Sequence, residues 1–330
     1  MTITTRVFNE QTGSPFIIEA EGPSGDCPSG DCRLSELSAW KQEHSDFIQQ
    51  KLLEHGAILV RNFGIDSLAH FNDFLGDFRH ATLLDYAGGN SPRTKLLKGI
   101  YTSTEYPQEH FISLHNEFSY NDQWPEHLFF CCVTPPVKDG NTLIADGRKV
   151  LALLDPEVIE MFEQRKVTYI RNMHDGSGFF GPSWQETFET EDKDKVSEFC
   201  KKSNIDFEWK KDGGLKTTQL GLGVATHPIT KEKAWFNQAD QFHVSNHPRD
   251  YYDAMVDMCD GKLDELPQHA CFGDGTEMTN EVLDSIRNAF KQLTIYFPWQ
   301  KGDALILDNV LMAHGRAPFS GARKILVAMS

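Results

Sequence analysis

The stretch SLHNEFSY, residues 113–120, puts an acidic side chain two places after a histidine in a run that otherwise reads as buried strand. Side chains alternate faces along a strand, so Ser113, His115, Glu117 and Ser119 are expected on one side and Ile112, Leu114, Phe118 and Tyr120 on the other. A carboxylate on a covered strand costs several kcal/mol unless it is paired or bound to a cation. A metal ion answers the charge and the neighbouring imidazole together. With 13 histidines and 48 acidic residues in 330 positions, about two His-x-acid pairs arise by chance, so the pair alone is unspecific. The other pair, His44 and Asp46, falls at a helix start, where positions two apart do not face each other.

A His-x-carboxylate pair becomes a non-haem Fe(II) site when a second, distant histidine completes it and leaves positions open for chemistry. His314 is the best candidate. It lies in LMAHGRAPFSGARKIL (311–326), a strand, a turn and a strand, with Arg316 on its own face and Arg323 opening the second strand. Two guanidiniums beside a histidine suit an anionic ligand held at the metal. Among the rivals, His243 and His247 have helical spacing, but Asn246 and Pro248 oppose a helix there. His110, His127 and His227 read as ordinary hydrogen-bonded or exposed residues.

Outward from this pair, residues 1–35 are rich in Gly, Ser, Pro and Asp and read as an irregular arm. Residues 36–330 read as a single catalytic domain carrying a helical and loop insert over about 150–295. Helices are expected over SDFIQQKLLEHG with Ser45 as cap, over DSLAHFNDFLGDF, over DPEVIEMFEQR with Asp155 as cap, and over Val282–Leu293. Strands are expected at AILVRNF, across 111–146, and in the final segments GDALILDN, VLMAHGRAPF and ARKILVAM. No βαβα alternation is present, which favours a mostly β fold, a jelly roll with helical additions, over a Rossmann sheet.

Composition narrows the function classes. The formal charge of −16 opposes a nucleic-acid partner. No apolar run approaches the roughly 18 residues of a membrane span, and MTITTRVFNE lacks the pattern of a signal peptide, so a cytoplasmic address is expected. Seven cysteines make a disulfide framework improbable, with Cys131 and Cys132 reading as small buried hydrophobes. The tandem PSGDCPSGDC, Pro23 to Cys32, lacks a second pair that would complete a zinc site and reads as a loop.

LHNEFSY (114–120), TPPVKDGNTLIAD (134–146), PWQKGDALILDN (298–309) and AHGRAPFSGARKIL (313–326), together with GAILVRNF (56–63), resemble the Fe(II)/2-oxoglutarate dioxygenases of the TauD/TfdA superfamily, in particular the clavaminate synthase-like and SyrP-like branch. The resemblance implies a double-stranded β-helix core. It implies His115, Glu117 and His314 as iron ligands, and Thr142 and Arg323 as holders of the distal carboxylate of 2-oxoglutarate, with Lys324 the neighbouring alternative that strand alternation cannot separate from Arg323. It further implies Fe(II), 2-oxoglutarate and O2 as cofactors, with succinate and CO2 released as an unactivated C–H bond is hydroxylated. A carboxylate at Glu117 argues against the halogenating branch. Where taurine dioxygenase holds the sulfonate with a second arginine this chain has Val327, which makes taurine doubtful.

The expected partner is a small molecule, an amino acid or a derivative of one. An aminoacyl group on a carrier protein is the alternative, which the negative charge disfavours because carriers are usually acidic. Arg316 is the substrate-binding candidate, equally readable as structural; Arg93 and Asn237 are weaker ones, residues of a kind more often solvated than functional, and Asn309 is read as shaping the last strands. A non-catalytic metal-binding jelly-roll protein and a zinc hydrolase remain the rival classes, neither of which needs the arginines.

Overall fold

The computed structural model describes residues 2–22, 30–79, 81–178 and 181–330. Two sheets face each other. The larger has eight strands in the order Thr2–Val7, Phe16–Glu21, Ala57–Arg61, Ala304–Asp308, His127–Thr134, Lys324–Met329, Ile100–Thr102 and Lys95–Leu97. The smaller has four, in the order Ile295–Phe297, Thr142–Asp146, Met312–Arg316 and Ile112–His115. Followed along the chain, strands pass back and forth between the sheets: Ile112–His115 small, His127–Thr134 large, Thr142–Asp146 small, then Ala304–Asp308 large, Met312–Arg316 small, Lys324–Met329 large. That alternation is the double-stranded β-helix, and apart from the parallel pair Phe16–Glu21 and Ala57–Arg61 its ladders are antiparallel.

The period-two pattern explains the layers. Leu59, Phe130, Cys132, Leu305, Ile325 and Val327 point between the sheets, toward the face of the small sheet that carries Ile144 and His314, with Phe130 packed on the His314 ring. Their neighbours Ile58, Val60, Phe129, Cys131, Ile306 and Leu326 point outward. Helices Gly30–Glu43, Ser45–His55 and Leu68–Phe78 cover that outer face with Leu37, Leu52, Phe71, Phe74 and Phe78. Adjacent Cys131 and Cys132 are thus buried on opposite faces of one strand, as alternation requires.

Two local expectations need correction. The opening residues are not an irregular arm: Thr2–Val7 and Phe16–Glu21 form an antiparallel pair that extends the large sheet through Ala57–Arg61. Short strands interrupted by a Gly-containing turn hide behind polar composition when the sheet they join supplies the backbone partners. Residues 23–29, most of the tandem Cys motif, lie outside the described residues. Cys32 is disulfide-bonded, which consumes the thiolate a zinc pair needs. Ser45 does not cap its helix. A helix precedes it almost without break, His44 is the N-cap, and Gly56 ends the helix in the left-handed region with its N–H on Leu52 O.

The other helix signals are met. Asp155 caps Pro156–Arg165, Ser67 caps Leu68–Phe78, and Asn280–Leu293 buries Leu283, Ile286, Ala289 and Phe290. Between Thr142–Asp146 and Ile295–Phe297 the chain adds helices and a further four-stranded sheet, ordered Asp206–Trp209, Leu215–Gly221, Val167–Met173, Gln268–Phe272. No helix of the described residues is long and apolar enough to cross a membrane.

Candidate metal and cosubstrate site

His115 ends the edge strand of the small sheet, and His314 lies directly opposite it on the neighbouring strand. Their ring centroids are 4.4 Å apart. The pairing is irregular here, because Arg316 pairs with Ile112, so two residues on one strand span three on the other. The bulge draws the backbones together at Gly315, where an added Cβ would sit 2.5 Å from Ile112 O. Glycine is the residue such a close approach demands. Gly315→Ala is expected to cost about 1–3 kcal/mol and to weaken Mn(II) binding by displacing His314. Thermal melts and metal titration of the variant check both.

Glu117 does not continue the strand. The strand stops at His115, residues 117–120 form a turn, and Phe118 has φ of 57°. Asn309, fully buried just past the Ala304–Asp308 strand, sets that turn. Its side chain accepts from Glu117 N (2.8 Å) and donates to Glu117 O (2.9 Å) and Pro125 O (2.9 Å), while Asn116 donates to Asn309 O (2.7 Å). The reading of Asn309 as a shaper therefore holds, for the metal-site turn rather than for the last strands. With its backbone pinned, the Glu117 carboxylate swings to the histidines. Glu117 Oε2 is 3.8 Å from His314 Nε2, and the three side chains offer ligand atoms all within 4.8 Å of one another.

The donor set suits a divalent cation. His115 Nδ1 contacts Ser113 O at 2.8 Å, an arrangement that puts the proton on Nδ1 and leaves Nε2 free as a ligand. Burial lowers the pKa of His115, and lowers that of His314 far more, with His115 and Arg93 adding to the effect. Neutral imidazoles are what metal binding requires. Phe130 packs on His314, ring centroids 5.4 Å apart.

Arg93, expected to be solvated, has a side chain only 4% exposed and donates from Nη2 to Glu117 Oε2 at 2.7 Å. Tyr86 stacks beneath it, the guanidinium carbon 4.1 Å from the ring centroid, and its hydroxyl lies 3.5 Å from Glu117 Oε1. Burial pushes the Tyr86 phenol up to about 12, so it is a neutral donor. Both residues line a cavity of about 690 Å³, walled also by Phe111, Arg171, Phe242 and Gln268, a size suited to a small-molecule ligand. A larger cavity of about 1070 Å³, reached by Ile48, Phe129 and Ile306, has none of these metal-site side chains in its wall. It lies on the outer face of the large sheet.

Thr142 faces Arg316 across the strand pair that carries His314. Trp299 Nε1 donates to Thr142 Oγ1 at 3.0 Å, which commits one lone pair and leaves the hydroxyl proton for another acceptor. Arg323 has two side-chain bonds, to Gly140 O and Ser103 Oγ, each 3.2 Å. Burial, with repulsion from Arg316, brings its pKa down to about 10, the mark of a guanidinium short of an anion. Lys324 is exposed. Arg316 is in the wall of neither cavity: its Nη1 donates to Tyr106 O (2.9 Å) and Thr104 O (3.4 Å), and its Nη2 to Pro107 O (2.6 Å) and His110 O (3.1 Å). Those loop carbonyls have no ladder to join, and the guanidinium satisfies them.

Of the remaining candidates, Asn237 donates to Gly223 O and accepts from Ala239 N, and His227 pairs with Asp308 at 2.9 Å; both are structural. His243 meets His269 and Glu277 in a second potential ligand cluster, but Arg287 bonds the Ser245 hydroxyl that touches His243, a cation that opposes a metal there. Burial, His269 and Arg287 hold the His243 pKa down to about 4. Unfolded histidine titrates near 6.5, so the stability this residue contributes is complete above about pH 6.5 and is lost as pH falls toward 4, on the order of 3 kcal/mol. Chemical denaturation from neutral pH to about pH 5 is expected to show that slope, and His243→Asn to flatten it.

Tyr86, Trp299 and the pairing role of Arg93 were not legible in periodicity. For Tyr86 and Arg93 the one signal was the Gly and Pro punctuation of residues 85–110, which marks a loop near function.

Residues 18–329 match the model of the family described as "Taurine catabolism dioxygenase TauD, TfdA family". The chain is 39% identical over 282 residues to the dapdiamide synthesis protein DdaC of Enterobacter agglomerans, covering 86% of this chain and 84% of that protein. It is 26% identical over 322 residues to a clavaminate synthase-like protein of Arabidopsis thaliana, covering 96% and 93%. In fold it is similar to PvcB of Pseudomonas aeruginosa (TM-score 0.52, 15% identity, covering 99% of this chain and 90% of PvcB). It is likewise similar to AAD-2, solved with Mn(II) and N-oxalylglycine (TM-score 0.53, 14% identity, covering 100% and 97%). The β-helix expected from the sequence is thus shared with these structures, and the chain belongs to the TauD, TfdA family of dioxygenases, enzymes that use Fe(II), 2-oxoglutarate and O2.

Proposed function

We propose that this dioxygenase hydroxylates an unactivated C–H bond of an amino acid or a small amino-acid-derived molecule, releasing succinate and CO2. In this reading His115, Glu117 and His314 hold the iron, and Arg323 and Thr142 hold the distal carboxylate of 2-oxoglutarate. The observation that carries it is the convergence of two neutral imidazoles and one carboxylate within 4.8 Å, beside a small-molecule-sized cavity. The iron, once bound, supplies the oxidising power by activating O2 at the expense of 2-oxoglutarate.

The chain's own residues orient and shield. Ser113 O fixes the His115 tautomer, Asn309 fixes the turn that presents Glu117, and Arg93 and Tyr86 hold its carboxylate in one rotamer. Trp299 turns the Thr142 hydroxyl toward the cosubstrate, where Arg323 supplies the charge. Phe130 packs against His314, excluding water from that side. Arg316 acts on substrate indirectly, by fixing the loop whose Thr104 and Tyr106 line the cavity.

A relative named for dapdiamide synthesis and a neighbour described as an oxygenase from an isonitrile synthetic pathway support a role in making a specialised small molecule. The formal charge of −16 favours a free substrate over one on an acidic carrier. A succinate-release screen over free amino acids tests the reading. Turnover of a carrier-tethered amino acid with none of the free form overturns the preference for a free substrate, and failure to bind Mn(II) and 2-oxoglutarate overturns the site.

A further inference from the structure

The 690 Å³ cavity has an unusual wall. Two of its residues, Arg93 and Arg171, are buried guanidiniums, and their donors are only partly used. Arg93 spends Nη2 on Glu117, but its Nε and Nη1 are buried with no hydrogen-bond partner. Arg171 donates to Gly88 O (3.0 Å) and to Gln219 Oε1 (3.3 Å) and leaves Nε unpartnered. Buried guanidinium donors without acceptors are costly, and a site that keeps them is incomplete without a ligand.

The acids around the cavity do not complete it. Glu186 is bound to Ser183 N and Oγ in a helix cap, and Glu105 accepts from Thr102. Glu189, also in the wall, lies at a helix end. Glu117, the one acid paired with Arg93 among the described residues, has a second obligation to a metal in the proposed reading. With a divalent cation and dianionic 2-oxoglutarate in place, the charges of Glu117, Arg93 and Arg323 leave a net positive charge in a buried site.

We infer that Arg93 is a substrate anchor that receives a carboxylate on its unused donors while Nη2 stays on Glu117, so that the enzyme selects an anionic substrate. This rests on the proposed reading of the metal site and narrows its substrate class. Because one guanidinium touches both the substrate anion and the metal ligand, the anchor also sets how far the substrate lies from the reacting centre. Tyr86, stacked under Arg93, keeps the guanidinium plane fixed.

The test needs no knowledge of the natural substrate. Protein loaded anaerobically with Mn(II) and saturating 2-oxoglutarate is titrated by calorimetry with straight-chain monocarboxylates from acetate to hexanoate and with the matching carboxamides. The expected result is that carboxylates bind about tenfold or more tighter than the amides. Arg93→Gln abolishes that preference and Arg93→Lys keeps part of it; loss of the Glu117 partner is expected to lower Mn(II) affinity about 10–100-fold, so both variants are titrated at Mn(II) and 2-oxoglutarate concentrations that still saturate them. Equal binding of carboxylates and amides, no carboxylate binding at all, or an undiminished preference in Arg93→Gln overturns the inference. Loss of Mn(II) or 2-oxoglutarate binding in the unmodified protein is a different failure, that of the metal-site reading itself.

Discussion

Glu117→Ala is expected to abolish succinate release and to lower metal affinity by more than about a hundredfold, since losing even an outer partner of a metal ligand costs about 10–100-fold. The same change has a second cost. Arg93, with a side chain 4% exposed, loses the carboxylate it is paired with, and breaking one side of a buried ion pair destabilises by about 3–5 kcal/mol. The two effects separate in a double variant. Glu117→Ala combined with Arg93→Met removes the orphaned cation and is expected to recover most of the stability while metal binding stays lost. Thermal melts and Mn(II) titrations of the single and double variants read the two quantities independently. Unaltered Mn(II) affinity in Glu117→Ala would remove the carboxylate from the ligand set and, with it, the explanation for an acid buried beside two histidines.

Arg323→Ala is expected to weaken 2-oxoglutarate binding by about 30- to 1,000-fold, corresponding to about 2–4 kcal/mol for a buried, charge-assisted contact, with Mn(II) affinity unchanged. Its lowered pKa states the same energetics from the other side: the buried cation is under-compensated in the free protein, and a carboxylate restores the balance. Thr142→Val, which removes a hydroxyl donor to that carboxylate, is expected to cost about 10- to 150-fold. Lys324→Ala, at an exposed position, is expected to leave binding unchanged. Normal 2-oxoglutarate affinity in Arg323→Ala together with a loss in Lys324→Ala would transfer the anchor to the lysine.

The sheets were legible because buried strands carry their own pattern. AILVRNF, LFFCCV and the final segments are apolar runs whose alternate residues fill two separate cores, and helix caps at Ser67 and Asp155 are written locally. The opening strands were not, because their stabilisation comes from the edge they join. His115 and His314 could be nominated from residue type and neighbouring arginines. Their meeting depends on a cross-strand register with a bulge, a property of two segments almost two hundred residues apart.

The alternation argument brought His115 and Glu117 together by a route the chain does not take. It put Glu117 on the face of His115 through strand geometry, whereas the chain leaves the strand and returns the carboxylate through a turn held by Asn309. Arg93 was misread for a related reason: in a Gly and Pro loop a lone arginine looks solvated, and only packing on Tyr86 and Glu117 buries it.

Read alone, the residues carried the fold class and nominated His115, Glu117 and His314 as candidate ligands, because hydrophobic period and residue chemistry are local quantities. Packing set which polar atoms are left open: the Nε2 lone pair of His115, the Thr142 hydroxyl proton left over by Trp299, and the spare nitrogens of Arg93. Hydrogen-bond satisfaction is settled by the last neighbour to arrive, and in this chain that neighbour comes from far along the polypeptide.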